Sequence, residues 1–269
     1  IIKAQSPNIM NKLARSVLAL YSYDELAEDM SLENIVRQSI ELIARVSTIM
    51  VNAYQVKKRY YDHESLFFHS PIDGMSFSEN ILSTLRFDRQ FTREEAKLLD
   101  ICLILHAEHG GGNNSTFACR VLSSSGTDTY AAISAAIGGL KGPRHGGANI
   151  KVVEMMADLK QSLQNPHDEG QVADYLHKLL IAGEAGDRSG LIYGMGHAVY
   201  TKSDPRARIL KANAEGMAIR SGFEEEFRLL ASVERLAPAL LGAKKGGIDA
   251  VCANVDLYSG LVYKMLGIP

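Results

Sequence analysis

The stretch SLENIVRQSIELIARVSTIMVNAYQVKKRY (Ser31–Tyr60) decides the fold class of this 269-residue chain. Ser31 is a typical helix N-cap residue, and apolar side chains recur after it at the spacing of one helix face. We assign six of them to the buried side: Ile35, Ile40, Leu42, Ile43, Val46 and Ile49. The pattern predicts one long helix that runs from Ser31 to about Tyr60.

The same helical periodicity recurs along the rest of the chain, and no segment is typical of a strand. Helix starts are marked by a Thr92–Glu95 capping box, by Asp128, and by Asp204 followed by proline. Further helices are predicted over residues 9–20, 78–85, 96–108, 130–140, 149–163, 168–181, 205–220, 223–241 and 255–266. The sequence therefore predicts an all-α protein.

Composition excludes several classes of function. Hydrophobic residues make up 46% of the chain and charged residues 22%, which is typical of globular proteins. A formal net charge of −2 gives no electrostatic footprint for nucleic acid. No apolar run reaches the roughly 18 residues of a membrane span, and the first residues lack a signal-peptide pattern. The three cysteines are far apart, which indicates reduced thiols and a cytoplasmic protein.

Two histidines lie inside glycine-bracketed turns. His145 occurs in GPRHGGAN (Gly142–Asn149), and His197 ends GMGH (Gly194–His197). Glycine lets a ligand approach the backbone and tolerates strained angles. A helix that starts just beyond each turn would add free N–H donors. An imidazole in such a place can polarise a carbonyl group, although each ring could instead bond a nearby carbonyl within a tight turn.

Three other residues fit the same site. His109 ends a helix before a glycine loop, where a cation can meet an anionic ligand. Arg206 lies in the first turn of a helix, where a cation opposes the helix dipole; a bound carboxylate would explain it, and Asp204 is the alternative partner. Asp256 starts the last helix, a place where capping aspartates are common. Taken together, these residues predict an active site.

A zinc site built on the histidines near residue 109 is a further alternative. His106 and His109 form a His-x-x-His pair, but no cysteine or third histidine lies near them in sequence. The glutamate-bearing spacing of zinc proteases is also absent. We therefore predict no metal.

Five segments in order resemble the citrate synthase family of the bacterial type. They are HAEHGGGN (106–113), GPRHGGAN (142–149), GMGHAVY (194–200), SDPRA (203–207) and NVDLYSG (254–260). The resemblance implies the condensation of acetyl-CoA with oxaloacetate to give citrate and free CoA. It also implies no separate cofactor, because acetyl-CoA is a substrate. The 2-methylcitrate synthases, which use propionyl-CoA, share these motifs, and the sequence does not separate the two activities.

The resemblance also implies a role for each site residue. Asp256 would remove a proton from the acetyl methyl group, and His145 would hydrogen-bond the thioester oxygen. His197 would polarise the ketone of oxaloacetate and protonate the alkoxide. Oxaloacetate would be held by His109, Arg206 and Asn113, and CoA by Gly194, Met195, Gly196 and Lys202.

A two-domain organisation is implied in the same way. Residues 1–149 would form part of a large domain, residues 150–253 a small domain that closes over the substrates, and residues 254–269 a return to the large domain. Family members are homodimers or dimer-based hexamers. Since the family continues past Pro269 and also has an N-terminal region, we expect a core fragment with reduced activity. A non-catalytic helical binding or regulatory module on the same scaffold is the alternative of another class.

Overall fold

The computed structural model describes residues 6–107, 112–142, 146–184, 190–197, 199–244 and 251–268. Within these ranges the chain forms eleven α-helices and one 3₁₀ turn, Leu20–Tyr23. The helices are α1 (Ile9–Ala19), α2 (Leu32–Tyr61), α3 (Phe77–Leu85), α4 (Arg93–His106), α5 (Asn114–Ser123), α6 (Thr129–Lys141), α7 (Ala148–Ser162), α8 (Glu169–Glu184), α9 (Pro205–Arg220), α10 (Glu224–Lys244) and α11 (Asp256–Met265). The described ranges hold no strand, only an isolated antiparallel bridge between Met195 and Ala253. The all-α prediction is confirmed.

Helix starts follow the capping residues in the sequence. The side chains of Ser31, Asp128 and Asp204 accept hydrogen bonds from the first-turn amides of α2, α6 and α9. Thr92 and Glu95 exchange reciprocal bonds, with Glu95 N donating to Thr92 Oγ1 over 3.2 Å and Thr92 N to Glu95 Oε2 over 2.7 Å. Each bond satisfies a backbone donor that the helix itself leaves unpaired.

The buried face of α2 differs from the prediction. Leu42 and Ile49 are buried as expected, but Ile40 is 63% exposed and Ile43 65% exposed. The cause is a pair of buried polar side chains: Asn34 and Gln38 donate hydrogen bonds to the carbonyl of Leu26 over 2.8 and 3.3 Å. These bonds set the rotation of the helix, so its isoleucines at 40 and 43 face outward.

Helix α5 is missing from the sequence prediction. Its N-cap is Asn113, whose Oδ1 accepts from Thr116 N over 2.8 Å and from Ser115 Oγ over 2.7 Å. Asparagine is among the best N-cap residues. The signal was therefore present, at a position that the sequence analysis assigned to the substrate.

The chain divides into two compact units, Ile1–Ala96 with His106–Gly146 and Lys97–Leu105 with Gly147–Pro269. The core of the first unit joins α1, α2 and α6 through Leu13, Val17, Ala27, Leu42, Ile49 and Tyr130. In the second unit α11 packs on α7, α9 and α10. The domain boundaries predicted at 149/150 and 253/254 stay a prediction.

A buried carboxylate anchors the first unit. Asp24 accepts from Tyr130 Oη over 2.7 Å, from Gln38 Nε2 over 2.9 Å and from Arg37 Nη2 over 2.9 Å. Burial alone would raise the pKa of Asp24, but these hydrogen bonds outweigh it and hold that pKa well below its usual range. Burial likewise raises the pKa of Tyr130 to about 12. Asp24 therefore stays ionised, and the hydroxyl of Tyr130 remains its donor.

Candidate active site

Close packing of α11 fixes the position of Asp256, its first residue. A Cβ atom on Gly260 would lie 2.6 Å from Val153 Cγ2 of α7, so a larger residue would force the Val153 side chain or the helices to shift. On the same face Asn149 Nδ2 donates to Ser259 Oγ over 2.6 Å. Because seven residues of α11 are buried, the start of the helix is held firmly.

A short antiparallel pairing brings the His197 turn beside the segment that precedes Asp256. Asn254 N donates to Gly194 O over 2.9 Å, and Gly196 N donates to Cys252 O over 2.7 Å. Gly194 has a φ of 81°, and a Cβ there would lie 2.8 Å from Leu257 Cδ1 and 2.9 Å from its Cα. Glycine at 194 is thus required by backbone angle and by space.

Asn254 adds two side-chain hydrogen bonds across this pairing. Its Nδ2 donates to Gly196 O over 2.8 Å, and its Oδ1 accepts from Asp256 N over 3.0 Å. One side chain therefore joins the residue before His197 to the start of α11. The sequence analysis quoted Asn254 within a motif but gave it no role; its place two residues before a helix start was the available signal.

The His197 ring is held in one tautomer by its own turn. Nδ1 accepts from Val199 N over 3.0 Å and from Tyr200 N over 3.1 Å. An imidazole nitrogen that accepts hydrogen bonds carries no proton, so these two amides favour the His197 tautomer with its hydrogen on Nε2. The donors belong to the turn rather than to a helix, because α9 begins only at Pro205. This corrects the expectation of a helix start just beyond the turn.

Arg206 pairs with Asp204, the alternative partner that the sequence analysis considered for it. Its Nε donates to Asp204 Oδ1 over 3.0 Å and its Nη2 to Asp204 Oδ2 over 2.8 Å. The same Nη2 lies 3.3 Å from His197 Nε2. The guanidinium carbon is 5.4 Å from the centre of the Tyr200 ring, which in turn lies 4.9 Å from the centre of the His197 ring. Asp204 and Tyr200 therefore fix the guanidinium beside the imidazole.

The electrostatics of this group are set by Asp204. Burial would raise the pKa of Asp204, but the hydrogen bonds from Arg206 outweigh burial and lower that pKa below its ordinary value. Hydrogen bonding to Asp204 raises the pKa of Arg206, and the charge of Asp256 adds to the same shift. The carboxylate of Asp256 thus lies within electrostatic reach of the guanidinium.

The structure brings together His197, Arg206 and Asp256 with the Gly194–Gly196 turn, all in the second unit. His145 and His109 lie outside the described residues, so their predicted roles stay predictions. Asn113 belongs to the first unit and caps α5. Lys202 lies exposed just after the His197 turn.

The described residues give no support to a metal protein or a membrane protein. No group of three or more histidine, cysteine, aspartate or glutamate side chains there could hold a metal ion. His109, one of the two histidines of the His106–His109 zinc alternative, lies outside the described residues. None of the described helices combines the length and apolar character needed to cross a bilayer.

The described part of the site joins the Gly194–Gly196 turn, an oriented imidazole and two charged side chains within one helical unit, and comparison with known families identifies the class of protein. The family model described as "Citrate synthase, C-terminal domain" matches residues 1–269. The chain belongs to the citrate synthase family.

Named relatives agree with this assignment. The chain is 36% identical over 230 residues to a citrate synthase of Synechocystis sp., covering 86% of this chain and 51% of that protein. It is 35% identical over 259 residues to a citrate synthase of Deinococcus radiodurans, covering 96% and 62%. A 2-methylcitrate synthase of Corynebacterium glutamicum is 38% identical over 167 residues, covering 62% and 38%.

Solved structures show the same fold. The crystal structure of citrate synthase from Pyrobaculum aerophilum superposes with a TM-score of 0.72 at 27% identity, over 97% of this chain and 62% of that one. The chain therefore spans roughly half to three fifths of the length of the Synechocystis and Deinococcus citrate synthases.

Proposed function

We propose that this chain carries the catalytic core of an enzyme that condenses acetyl-CoA with oxaloacetate to give citrate and CoA. The observation that carries the proposal is the pairing of residues 194–196 with residues 252–254, which sets the neutral His197 and Asp256 on adjoining segments. Relatives named citrate synthase support the same reaction for the whole protein.

The first step is removal of a proton from the acetyl methyl group by Asp256. An aspartate with an ordinary pKa of about 3.9 is far too weak a base for a thioester methyl group unaided. A hydrogen-bond donor at the thioester oxygen must therefore stabilise the enol as the C–H electrons move into the new double bond. We assign this donor to His145.

The second step joins the enol carbon to the ketone carbon of oxaloacetate. His197 presents Nε2–H as a donor because the amides of the turn occupy Nδ1. That hydrogen can bond the ketone oxygen and pass to it as the alkoxide forms. Water then cleaves the thioester, releasing citrate and CoA.

Substrate binding needs more positive charge than Arg206 alone supplies. Asp204 and Asp256 together carry two negative charges against the single positive charge of Arg206. Since oxaloacetate is a dianion, a second cation is required, and we assign it to His109, with Asn113 assisting. For CoA we assign the Gly194–Gly196 turn and Lys202.

Assembly and location follow from the same proposal. We expect the small domain of residues 150–253 to close over the substrates and exclude water during bond formation. We also expect a homodimer or a dimer-based oligomer in the cytoplasm, with no nucleic-acid or membrane partner and no metal or separate cofactor.

The test is release of CoA thiol. A chimera in which this chain replaces the 259 matched residues of the Deinococcus radiodurans citrate synthase supplies the remaining length. We expect the chimera to release thiol only when acetyl-CoA and oxaloacetate are both present, and His197→Ala or Asp256→Ala to reduce kcat at least 100-fold. A folded chimera that is inactive, or variants that are as active as the parent, would refute the proposal and favour a non-catalytic module.

A second candidate, 2-methylcitrate synthesis from propionyl-CoA, is favoured by the match to the Corynebacterium protein. One methylene group in an apolar pocket changes selectivity only about 10- to 200-fold. Comparing kcat/KM for the two thioesters in the same chimera decides between the substrates: a higher value for propionyl-CoA would select the second candidate.

A further inference from the structure

The half-buried side chain of Tyr200 contacts two groups of the candidate active site with one ring. The centre of this ring lies 4.9 Å from the centre of the His197 ring, with 33° between the two planes. The guanidinium carbon of Arg206 lies over the Tyr200 ring, 5.4 Å from its centre. Both separations are within the range of attractive aromatic and cation–π contacts. The imidazole and the guanidinium, which approach each other to 3.3 Å, therefore share one aromatic neighbour.

Two main-chain hydrogen bonds fix the point from which the Tyr200 ring projects. Tyr200 N donates to His197 Nδ1 over 3.1 Å, and Tyr200 O accepts from Cys252 Sγ over 3.3 Å. Burial raises the pKa of Cys252, so its thiol stays protonated and can donate this bond. The backbone of Tyr200 is thus bound both to the His197 ring and to the segment that precedes Asp256.

The ring and the main chain of Tyr200 make these contacts, and its hydroxyl takes no part in them. Phenylalanine at this position would keep all of them, whereas leucine would keep only the two main-chain bonds. The amide that holds His197 Nδ1 would remain in either variant. Removal of the ring would therefore act mainly on Arg206, which would lose its aromatic contact and keep only its pairing with Asp204.

We propose that Tyr200 is a positioning residue for oxaloacetate, an inference that rests on the proposed condensation reaction. Its ring holds the guanidinium of Arg206 beside the imidazole, where the guanidinium meets a substrate carboxylate while His197 Nε2–H meets the ketone oxygen. In that reaction both groups contact oxaloacetate, and acetyl-CoA is bound elsewhere. Loss of the ring therefore weakens the binding of oxaloacetate and leaves the binding of acetyl-CoA unchanged.

The first test is the kinetics of thiol release by the chimera that carries Tyr200→Leu. We expect KM for oxaloacetate to rise about fivefold or more, because a cation–π contact in a half-buried site is lost. Because the turn amides still orient the imidazole, kcat should stay within about threefold of the parent and KM for acetyl-CoA within about twofold. Tyr200→Phe, which keeps the ring, should behave as the parent. Tyr54→Leu is the matched control: the Tyr54 ring lies 5.8 Å from Lys58 Nζ in the first unit, and its loss should change none of these constants.

A second measurement does not depend on turnover. In the 269-residue chain, hydrogen exchange of the Arg206 Nε–H, followed by NMR, should be about fivefold faster or more in Tyr200→Leu and unchanged in Tyr200→Phe, because the ring restrains the guanidinium. Should Tyr200→Leu lose its helical circular dichroism, Tyr200→Met, which also lacks a ring, takes its place with the same expectations.

The outcomes separate this inference from the reaction on which it rests. An inactive parent chimera would refute the condensation reaction, whereas unchanged exchange in Tyr200→Leu would overturn the role of the ring whether or not the chimera is active. In an active chimera, three other results would also overturn it. These are an unchanged KM for oxaloacetate in Tyr200→Leu, an equal rise in KM for acetyl-CoA, and a Tyr200→Phe variant as impaired as Tyr200→Leu.

Discussion

Asn254 provides the sharpest test of the site geometry. Asn254→Ala removes the bond to Gly196 O (2.8 Å) and the bond from Asp256 N (3.0 Å) and leaves the backbone pairing of residues 194 and 196 in place. A hydrogen bond of this kind contributes about 1 kcal/mol net, so the two together contribute about 2 kcal/mol. If the transition state needs both segments in register, the loss corresponds to a roughly 30-fold lower kcat/KM.

The assay is thiol release by the chimera, with kcat expressed per folded molecule from circular dichroism. Asn213→Ala is the matched control, because Asn213 Nδ2 also donates to a carbonyl, that of Ile209 over 2.8 Å, but on an exposed face of α9. The control should stay within twofold of the parent. Retention of full kcat/KM by Asn254→Ala would refute the view that this side chain positions the catalytic groups.

A second substitution separates the two bonds. Asn254→Asp keeps an acceptor for Asp256 N but loses the donor to Gly196 O and sets a carboxylate against that carbonyl. We therefore expect a loss at least as large as that of the alanine variant, with kcat affected more than KM. A milder effect would mean that the bond to Asp256 N alone maintains the geometry.

Three further substitutions test the fold and the site by urea unfolding. Gly194→Ala should lower the free energy of unfolding by about 3 kcal/mol, since it adds a clash to the strain of a positive φ. Gly222→Ala is the control: Gly222 has a φ of 77° and open space around it, so the loss should be only about 1 kcal/mol. Equal losses would show that the clash at residue 194 has no effect. The pKa of Asp204 is below its ordinary value of 3.8, so its contribution to stability is fully present above that pH and is lost as pH falls through the folded-state pKa. The stability difference between the parent and Asp204→Asn should therefore shrink below about pH 4, and a constant difference would contradict the shift. Tyr130→Phe should cost about 2 kcal/mol, because a buried donor to a carboxylate is lost. Tyr21→Phe, which loses an exposed bond of 2.6 Å, should cost much less, and equal losses would contradict this account.

Local signals in the sequence predict the helices better than they predict the faces that the helices bury. A cap such as Ser31 or Asp204 acts on amides two or three residues away, so its effect can be read from the sequence. The rotation of α2 depends instead on Asp24 and on the carbonyl of Leu26, which lie before the helix and bond to its polar residues. The spacing of apolar residues contains no information about these polar contacts. For that reason the prediction that Ile40 and Ile43 lie on the buried side of α2 was wrong.

In the candidate active site, too, contacts between residues far apart in sequence could not be predicted. The Gly194–Gly196 turn and His197 after it could be found from sequence, because glycine at a positive φ has a local cause. The bridge between Met195 and Ala253 joins segments 58 residues apart and has no periodic signal, since it is a single pair rather than a strand. Asn254 acquires its role only through that bridge, and sequence reasoning consequently left it without one.

The tautomer of His197 determines how its ring interacts with Arg206. With its hydrogen on Nε2, the neutral ring presents a donor 3.3 Å from another donor, the guanidinium Nη2. Two donors at this separation favour an acceptor that both can reach, as a ketone oxygen would be. If Nε2 then gives up its hydrogen to the alkoxide in the proposed reaction, the ring becomes an anion, and the contact becomes a hydrogen bond from Nη2 to Nε2. At an effective dielectric constant of about 20, opposite unit charges at that distance attract by roughly 5 kcal/mol. This attraction opposes the repulsion between such an anion and the carboxylates of Asp204 and Asp256, and the turn amides that bond to Nδ1 act in the same direction as Arg206.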